Sequence, residues 1–301
     1  MIRAGRKKND FKTIIAELQG GLGNQMFQYA MAKSLSIKNN ATLKLALTFF
    51  DDSSSRSFKL DAFNIEENKA SLSEINKCKG YPVTFLQKVC SKLKILPDNI
   101  VREKHMLYNP KYKAVNPPVY LSGYWQSESY FKEHEQDIRS IFQVKAEFIK
   151  DIEGWVREIK QVNAVSLHVR RGDYIYNKEV NKIHGTCSLE YYSEAIQKIE
   201  DRVENPVFYI FSDDLPWCRQ YIKTIYPHYF VEQKRKYSDV ADLYLMSICK
   251  HHIIANSSFS WWGAWLNSFA DKIVIAPKRW FTDEEMNKQA ETIVPSKWIQ
   301  I

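Results

Sequence analysis

Short apolar runs alternate with longer stretches of helical periodicity along most of this 301-residue chain. The first round of the pattern is the apolar run TIIAEL at 13–18, the turn QGGLGNQ, a helical stretch from Met26 and the alternating segment at 41–50. Apolar strands that are separated by helices are typical of parallel sheets with both faces covered. The alternation therefore predicts an α/β fold.

The same alternation begins again at Asn163 and predicts a second domain. Apolar runs predict strands at 164–169, 206–212, 251–256 and 272–277, and the intervening stretches predict helices around 188–203, 214–224, 238–249 and 258–269. Earlier in the chain we predict a strand followed by an aromatic loop in 119–131, and short amphipathic helices at 71–78 and 82–96. We therefore place the domains at 13–158 and 159–301, with the C-terminal segment a candidate for packing back on the first domain.

The charge of the chain is positive but unevenly placed. The formal net charge is +8, and residues 1–12 hold five Lys/Arg against one Asp, so five minus one, or +4, belongs to this leader. We expect the leader to be a disordered basic arm that makes at most peripheral contact with a membrane. The remaining excess is mild and carries no RNA-recognition or zinc-finger pattern, so we expect no nucleic-acid partner.

The cysteines and the apolar runs indicate a compartment. The five cysteines are odd in number and form no C-x-x-C pair, which favours reduced thiols over disulfides or a zinc site. No apolar run reaches the roughly 18 residues that a membrane span needs, and TIIAEL is too short for a signal peptide. We expect a cytoplasmic protein.

Four polar loops follow predicted strands. They are GGLGNQ at 20–25, HVRRGDY at 168–174, SDD at 212–214 and NSSFSWWG at 256–263. In doubly wound sheets, ligands bind beyond the carboxyl ends of the strands. Four such loops together predict a ligand site, although each one alone has a simpler explanation.

The glycine and arginine loops each allow a structural interpretation. GGLGNQ suits a tight turn as well as an anion-binding helix start, and it matches neither the dinucleotide fingerprint nor the Walker A motif. Arg170 and Arg171 point to opposite faces if the strand continues, so one can bind a phosphate while the other pairs with a carboxylate such as Asp173. A surface salt bridge is an equal alternative, and a cell-adhesive Arg-Gly-Asp module is a poorer one.

The two later loops, SDD and NSSFSWWG, also allow both a structural and a ligand-binding interpretation. Asp213 and Asp214 can bind a hydroxyl pair, a guanine edge or a divalent metal, and Ser212 or Asp214 can instead cap the following helix. Serines at the start of the NSSFSWWGAWL helix can cap it or bind phosphate with its N–H groups. Trp261 and Trp265 share a helix face, where core packing is favoured over sugar stacking.

GGLGNQMFQYA, HVRRGDY, FSDD and NSSFSWWGAWL, in this order, resemble the α-1,2-fucosyltransferases of glycosyltransferase family 11. The resemblance runs from Ile14 to Pro295 and is weakest at 51–118. It implies a GT-B-like architecture, with two Rossmann-like domains facing a cleft, and inverting transfer of L-fucose from GDP-fucose without a metal or other cofactor. The lack of an anchor suggests the bacterial, cytosolic type, with a β-galactoside acceptor such as lactose or a lipid-linked oligosaccharide of O-antigen or milk-oligosaccharide type.

The resemblance also implies roles for individual residues. Arg170 would stabilise negative charge on the β-phosphate as GDP leaves, supported by His168 and Arg171. Asp213 would contact the nucleoside, and Asn24 would reach the phosphate–fucose junction. The expected donor-binding set is completed by Gly23, Asn256, Ser257, Ser258 and Phe259.

Asp173 has two possible roles. It is either the general base for the acceptor hydroxyl, which requires its carboxylate within about 3 Å of that oxygen, or the structural partner of Arg171. We favour the structural role, because a loose transition state needs little help from a base.

Two rivals to this function stay open: another GDP-sugar transferase, such as an α-1,6- or protein O-fucosyltransferase, and a non-catalytic glycan- or nucleotide-binding protein. Acceptor choice is expected near Tyr124 and Trp125.

Overall fold

The computed structural model describes residues 12–51, 56–80, 99–172, 178–232 and 237–301. The basic leader up to residue 11, the helix predicted at 82–96 and the candidate base Asp173 lie outside these residues. The chain forms two compact units. The first comprises the residues up to Asp61 together with Ile65–Ile141, and the second comprises Ala62–Asn64 with Phe142–Ile301.

The first unit is built on a four-stranded parallel sheet with the order β2-β1-β4-β3. Its strands are β1 (Thr13–Glu17), β2 (Thr42–Ala46), β3 (Ile100–Arg102) and β4 (Val119–Ser122). Its helices are α1 (Leu22–Asn39), α2 (Leu72–Cys78) and α3 (Glu135–Ile141). Short 3-10 turns lie at Thr48–Phe50, Leu60–Ala62, Pro110–Ala114, Glu128–Tyr130 and Lys132–His134. The predicted β–loop–α–β start is confirmed.

Helix α1 is the long helix of this unit, and it is buried along most of its length. Thirteen of its 18 residues are buried, which the small and apolar sequence MFQYAMA makes possible. It ends at Asn40, which adopts the left-handed conformation common after a helix C-terminus. Gly20, with φ +78°, supplies the turn between β1 and α1. The helix start is thereby held at the carboxyl end of β1.

The second unit is built on a six-stranded parallel sheet. Its strands are β5 (Asn163–Val169), β6 (Pro206–Ser212), β7 (His228–Phe230), β8 (His251–Ile253), β9 (Val274–Ala276) and β10 (Ile299–Gln300). Its helices are α4 (Ala146–Ile149), α5 (Glu153–Gln161), α6 (Lys178–His184), α7 (Leu189–Glu200), α8 (Leu215–Tyr221), α9 (Ser238–Ile248), α10 (Ser258–Leu266) and α11 (Glu284–Gln289). A 3-10 turn lies at Lys150–Ile152.

The strand order of this sheet is β10-β9-β8-β5-β6-β7. Numbered within the unit, the order is 3-2-1-4-5-6 from the β7 edge, the arrangement of the dinucleotide-binding Rossmann fold. The α/β fold with two parallel-sheet units of GT-B-like type is confirmed. Loops that follow β5, β6 and β8 therefore meet at one edge of one sheet.

Both faces of the second sheet are covered, as the apolar runs predicted. Val165 and Leu167 of β5 pack into one core with residues of α7 and α8, and Ala164 packs into the other with residues of α9. The indoles of α10 also belong to the interior: Trp261 and Trp265 are at most 3% exposed, and the Trp261 Nε1–H donates to the carbonyl of Ile293 at 2.8 Å. The preference for core packing over sugar stacking is confirmed.

The division between the units differs from the domain boundary that we place at 158/159. Ile152 and Ile159, before and within α5, pack against Ala164 and Tyr209 of the second sheet, so α4 and α5 belong to the second unit. Helical periodicity alone does not show which sheet an amphipathic helix covers. The C-terminal strand β10 also belongs to the second unit, since it pairs with β9. Ile299 and Ile301 pack against the core that contains Val165 and Leu167.

Two general features follow from the described residues. Within these ranges, no helix combines the length and apolar composition needed to cross a bilayer. The four cysteines that the structure describes, Cys78, Cys187, Cys218 and Cys249, are free thiols, in line with the sequence prediction.

Strand β8 carries two adjacent buried histidines, His251 and His252. His252 Nδ1 lies 2.8 Å from Ser166 Oγ, and His251 Nδ1 accepts a hydrogen bond from the Ile273 N–H at 3.1 Å. Burial, with smaller contributions from neighbouring lysines, lowers the pKa of both imidazoles below the ordinary value of 6.5. Both are therefore neutral in the folded protein near neutral pH.

We expect the free energy of unfolding to decrease as the pH falls below 6.5. In that range the unfolded chain binds protons that the folded chain excludes, so acid favours unfolding. Urea titrations at about pH 7.5 and about pH 5.5 measure the difference. His252→Gln should reduce the difference in the free energy of unfolding between the two pH values. The matched change His228→Gln, at an exposed histidine, should leave that difference unchanged. Equal pH dependence in all three proteins would contradict this prediction.

Candidate active site

The chain changes direction across the second sheet between β5 and β8. From β5 it proceeds to β6 and β7 on one side, and from β8 it proceeds to β9 and β10 on the other. In open α/β sheets, such a switch point leaves a crevice beyond the carboxyl ends of the two central strands, and ligands bind there. The predicted loops HVRRGDY and NSSFSWWG follow β5 and β8, and SDD follows the adjacent strand β6.

Arg170 pairs with Asp213 across the ends of two neighbouring strands. Val169 of β5 is in register with Ser212 of β6, so the residues that follow them face each other. Arg170 Nη1 lies 2.8 Å from Asp213 Oδ2, and the Arg171 backbone N–H donates to Asp213 Oδ1 at 2.8 Å. One carboxylate therefore holds both the guanidinium and the backbone of the arginine loop.

Arg171 has a different set of partners. Its Nε lies 3.1 Å from Asp214 Oδ2, and its guanidinium stacks 4.0 Å from the centre of the Trp217 ring. Asp214 also caps α8 by accepting the Trp217 N–H at 3.2 Å, which confirms the capping role allowed for this residue. Among the described residues, the carboxylate partner of Arg171 is thus Asp214, whereas the sequence suggested Asp173.

Gly172 is required by the closeness of the arginine loop to Asp213. A Cβ at this position would lie 2.7 Å from Asp213 Oδ2 and 3.0 Å from its Cγ. Any larger side chain would push away the carboxylate that holds Arg170. The glycine of the Arg-Arg-Gly sequence is therefore needed for Arg170 to pair with the aspartate after the next strand.

His168 lies beneath the arginine loop as a neutral imidazole. It is 4% exposed, and burial lowers the pKa of the ring from 6.5 to about 4, partly opposed by the nearby Asp213. The ring centroid lies 5.6 Å from that of Phe259, and Nδ1 has no hydrogen-bond partner among the described residues. His168 and Phe259 thus form a contact between the β5 loop and the start of α10.

The start of α10 presents backbone N–H groups at the same edge of the sheet. Ser257 is the N-cap residue, and its Oγ accepts the Phe259 N–H at 3.3 Å. The following residues, Ser258 and Phe259, are half-buried. A helix start carries partial positive charge, which favours an anion next to the two arginines.

Asn256 has a role inside the protein that the sequence does not reveal. Its side-chain N–H groups donate to the carbonyls of His184 at 2.8 Å and Trp280 at 3.2 Å, and its Oδ1 lies 3.6 Å from Cys187 Sγ. The residue is 3% exposed. It joins the end of α6, the segment before α11 and the β8 loop, and a direct contact with the donor stays a prediction.

The glycine loop of the first unit is stabilised by buried glutamines. Gln25 donates to the carbonyls of Gly20 at 3.0 Å and Ser57 at 2.9 Å, and Gln28 accepts the Gln19 N–H at 2.9 Å. The amide of Gln126 donates to Asn24 Oδ1 at 2.8 Å. Sequence reasoning missed the glutamines, although three of them within GNQMFQ and WQS, on otherwise buried elements, are a usable signal of a polar network.

The structure therefore brings part of the predicted site together. Seven predicted residues lie at the carboxyl edge of the second sheet, on the strand end, the loops and the start of α10: His168, Arg170, Arg171, Asp213, Ser257, Ser258 and Phe259. Gly23 and Asn24 belong to the first unit. Fixed guanidiniums beside a helix start suit a phosphate group, because they supply charge-assisted N–H donors in set directions.

Proteins with related sequences and folds are known. The α-1,2-colitosyltransferase of Escherichia coli is 38% identical over 299 residues, which cover 96% of this chain and 98% of that protein. The O-antigen biosynthesis glycosyltransferase WbnK of Escherichia coli is 35% identical over 305 residues, covering 94% and 99%. A crystal structure of NodZ α-1,6-fucosyltransferase soaked with GDP-fucose has a TM-score of 0.50 at 15% identity, covering 85% of this chain and 92% of that one.

The family model of glycosyl transferase family 11 matches residues 5–301. The match spans both parallel-sheet units, and two relatives above 30% identity extend over nearly the whole chain. The second unit has the switch point at which open α/β sheets bind their ligands. This chain is a glycosyltransferase that belongs to family 11.

Proposed function

We propose that this glycosyltransferase moves L-fucose from GDP-fucose to O2 of a terminal β-galactoside, with inversion at the anomeric carbon and without a metal ion. The observation that supports the proposal best is the guanidinium of Arg170, held by Asp213 at the switch point of the second sheet. A cation fixed beside a helix start is suited to a diphosphate leaving group. A cytoplasmic location is part of the proposal.

Sugar transfer requires these residues to stabilise the charge that develops on the leaving phosphate. As the bond from C1 of the sugar to the β-phosphate oxygen breaks, negative charge grows on the phosphate and positive charge on the sugar ring. In the proposed mechanism Arg170 donates N–H groups to the phosphate oxygens at this stage. The acceptor hydroxyl attacks C1 from the opposite face and loses its proton to solvent or to a carboxylate, for which Asp173 remains the candidate.

Arg170 is suited to this role because its geometry is fixed before the substrate binds. Its pairing with Asp213, and the hydrogen bond from the Arg171 N–H to the same carboxylate, hold the loop in place. A donor that is already oriented stabilises developing charge without the cost of reorganisation during the reaction. In the same proposal Arg171, the N–H groups at the start of α10 and Phe259 bind the rest of GDP, while Asp213 acts through Arg170 as well as on the nucleoside.

The donor sugar has a second candidate. The E. coli relative at 38% identity is named for transfer of colitose, which is L-fucose without its 3-hydroxyl. Both sugars present the same anomeric chemistry to Arg170, so the leaving-group site does not distinguish them. The α-1,6- and protein O-fucosyltransferases are rivals of similar fold, and the NSSFSWWGAWL segment favours the α-1,2 class.

Transfer itself is the first test. The purified chain mixed with GDP-fucose and lactose should release GDP, and linkage analysis of the methylated product should place fucose on O2 of galactose. GDP-colitose in parallel separates the two donors. GDP binding without product would support the non-catalytic rival, and a product linked elsewhere would overturn the α-1,2 assignment.

Arg170→Ala should remove nearly all transfer and leave the fold intact. Loss of one transition-state donor of this kind lowers kcat by a factor on the order of 10²–10³. The matched control is Arg202→Ala, at an exposed arginine that contacts the carbonyl of Lys198 on α7. Thermal unfolding of both variants checks the fold, and normal turnover by Arg170→Ala would rule out its role.

Transfer should persist in excess EDTA. Asp213 and Asp214, the aspartates that could otherwise hold a divalent cation, are each paired with an arginine. Rates measured with EDTA and after addition of Mn²⁺ or Mg²⁺ test this. Complete loss in EDTA that Mn²⁺ restores would instead assign a metal to the site.

A further inference from the structure

The carboxyl edge of the first sheet carries a loop that is fixed at almost every residue. This loop, Gly123–Ser127, follows β4 and lies beside Glu17 at the end of β1 and Glu103 after β3. Glu103 Oε2 accepts the backbone N–H groups of Tyr124 at 2.6 Å and Trp125 at 3.0 Å. Gly123 permits this closeness, because a Cβ there would lie 2.4 Å from the Glu103 Cβ.

The centre of the loop is strained and buried. Trp125 has a φ of +55°, a left-handed conformation that is unusual for a bulky residue. Its ring is 1% exposed and makes edge contacts with Tyr112, at 5.0 Å between centroids, and with Tyr130, at 5.7 Å. Strained conformations persist only where their surroundings impose them, and they concentrate at functional sites.

Tyr124 is the residue of this loop whose side chain is exposed. Its side chain is 40% exposed, whereas Trp125, Gln126 and Ser127 are at most 8% exposed. Gln126 in turn donates to Asn24 at the start of α1. The loop therefore presents one aromatic ring to the surroundings from a rigid backbone, at the sheet edge where α/β folds bind ligands.

The charges beside this ring suit a neutral, hydroxyl-rich ligand. Glu17 and Glu103 lie close enough to raise the pKa of Tyr124, after the larger effect of burial, so the phenol remains a hydrogen-bond donor. Glu103 Oε1 is buried and has no hydrogen-bond partner among the described residues. Glu17 already accepts hydrogen bonds from the hydroxyls of Tyr120 and Ser122. Carboxylates repel anions, which favours a neutral sugar over the GDP moiety beside this ring.

We propose that Tyr124 contacts the acceptor glycan, with its ring stacked on the C–H face of the terminal galactoside and its hydroxyl bonded to a sugar hydroxyl. The inference rests on the proposed function, which supplies a glycan as the second substrate. A tyrosine provides a large amphipathic contact at little cost in side-chain entropy, and the fixed backbone lowers that cost further. Tyr124 is then a residue that determines acceptor affinity and not donor affinity.

Steady-state kinetics with lactose and GDP-fucose varied in turn test this assignment. Tyr124→Ala should raise the KM for lactose at least tenfold and change the KM for GDP-fucose less than about twofold. Tyr124→Phe keeps the ring but loses the hydroxyl, so its KM for lactose should lie between those of the wild type and Tyr124→Ala. Tyr229→Ala, at a tyrosine of the second unit that is 45% exposed, is the matched control and should resemble the wild type. An unchanged KM for lactose in Tyr124→Ala, or an equal rise for both substrates, would overturn the inference.

A binding measurement separates this inference from the proposed function. Saturation-transfer NMR with lactose alone should show contacts to the galactose protons in the wild type that Tyr124→Ala loses while its thermal unfolding is retained. If no transfer occurs but this Tyr124-dependent binding is seen, the proposed function fails, whereas the contact between Tyr124 and a galactoside is retained. If transfer occurs with equal binding in both proteins, or the wild type binds no lactose, the inference fails.

Discussion

Two adjacent arginines after one strand and two adjacent aspartates after the next form the contact on which the candidate site depends. Strands β5 and β6 are parallel and in register at Val169 and Ser212, so Arg170 meets Asp213 and Arg171 meets Asp214. Each aspartate also accepts a backbone N–H, of Arg171 or Trp217. Side-chain charge, loop backbone and helix cap are thereby joined at one sheet edge, and a change in any of them alters the others.

The strand order gives this contact its position. Because β5 lies at the switch point, the arginine loop faces the start of α10 after β8, and His168 and Phe259 meet between them. The helix start supplies N–H groups, the arginines supply charge, and the buried neutral imidazole adds none. This combination suits the diphosphate group of the proposed donor.

Much of this arrangement follows from the sequence, because strands and loops are encoded locally. The runs at 164–169, 206–212 and 251–256 predicted β5, β6 and β8, and the capping residue before α8 was among those expected. The pairing of Arg171 with Asp214 was not predictable in the same way, because it depends on the register between strands some 40 residues apart. The pairing of Arg171 with Asp173 stays a prediction, since Asp173 lies outside the described residues. The boundary at 158/159 assigns α4 and the first part of α5 to the first domain, because periodicity does not show which sheet a helix covers. Strands β3 and β7 were not among the predicted strands.

The pairing of Arg170 with Asp213 makes the aspartate an internal counterion. The two guanidiniums are paired with two carboxylates, so these four side chains carry no net charge and attract a small anion less than two unpaired arginines would. An incoming phosphate would bind the Arg170 N–H groups that do not face Asp213, but the nearby carboxylate would repel it, which disfavours a weakly bound single anion. A ligand that is also held through its nucleoside and its second phosphate has the binding energy to compete. For the proposed nucleotide donor, a salt bridge that is already formed would thus favour the nucleotide over free phosphate.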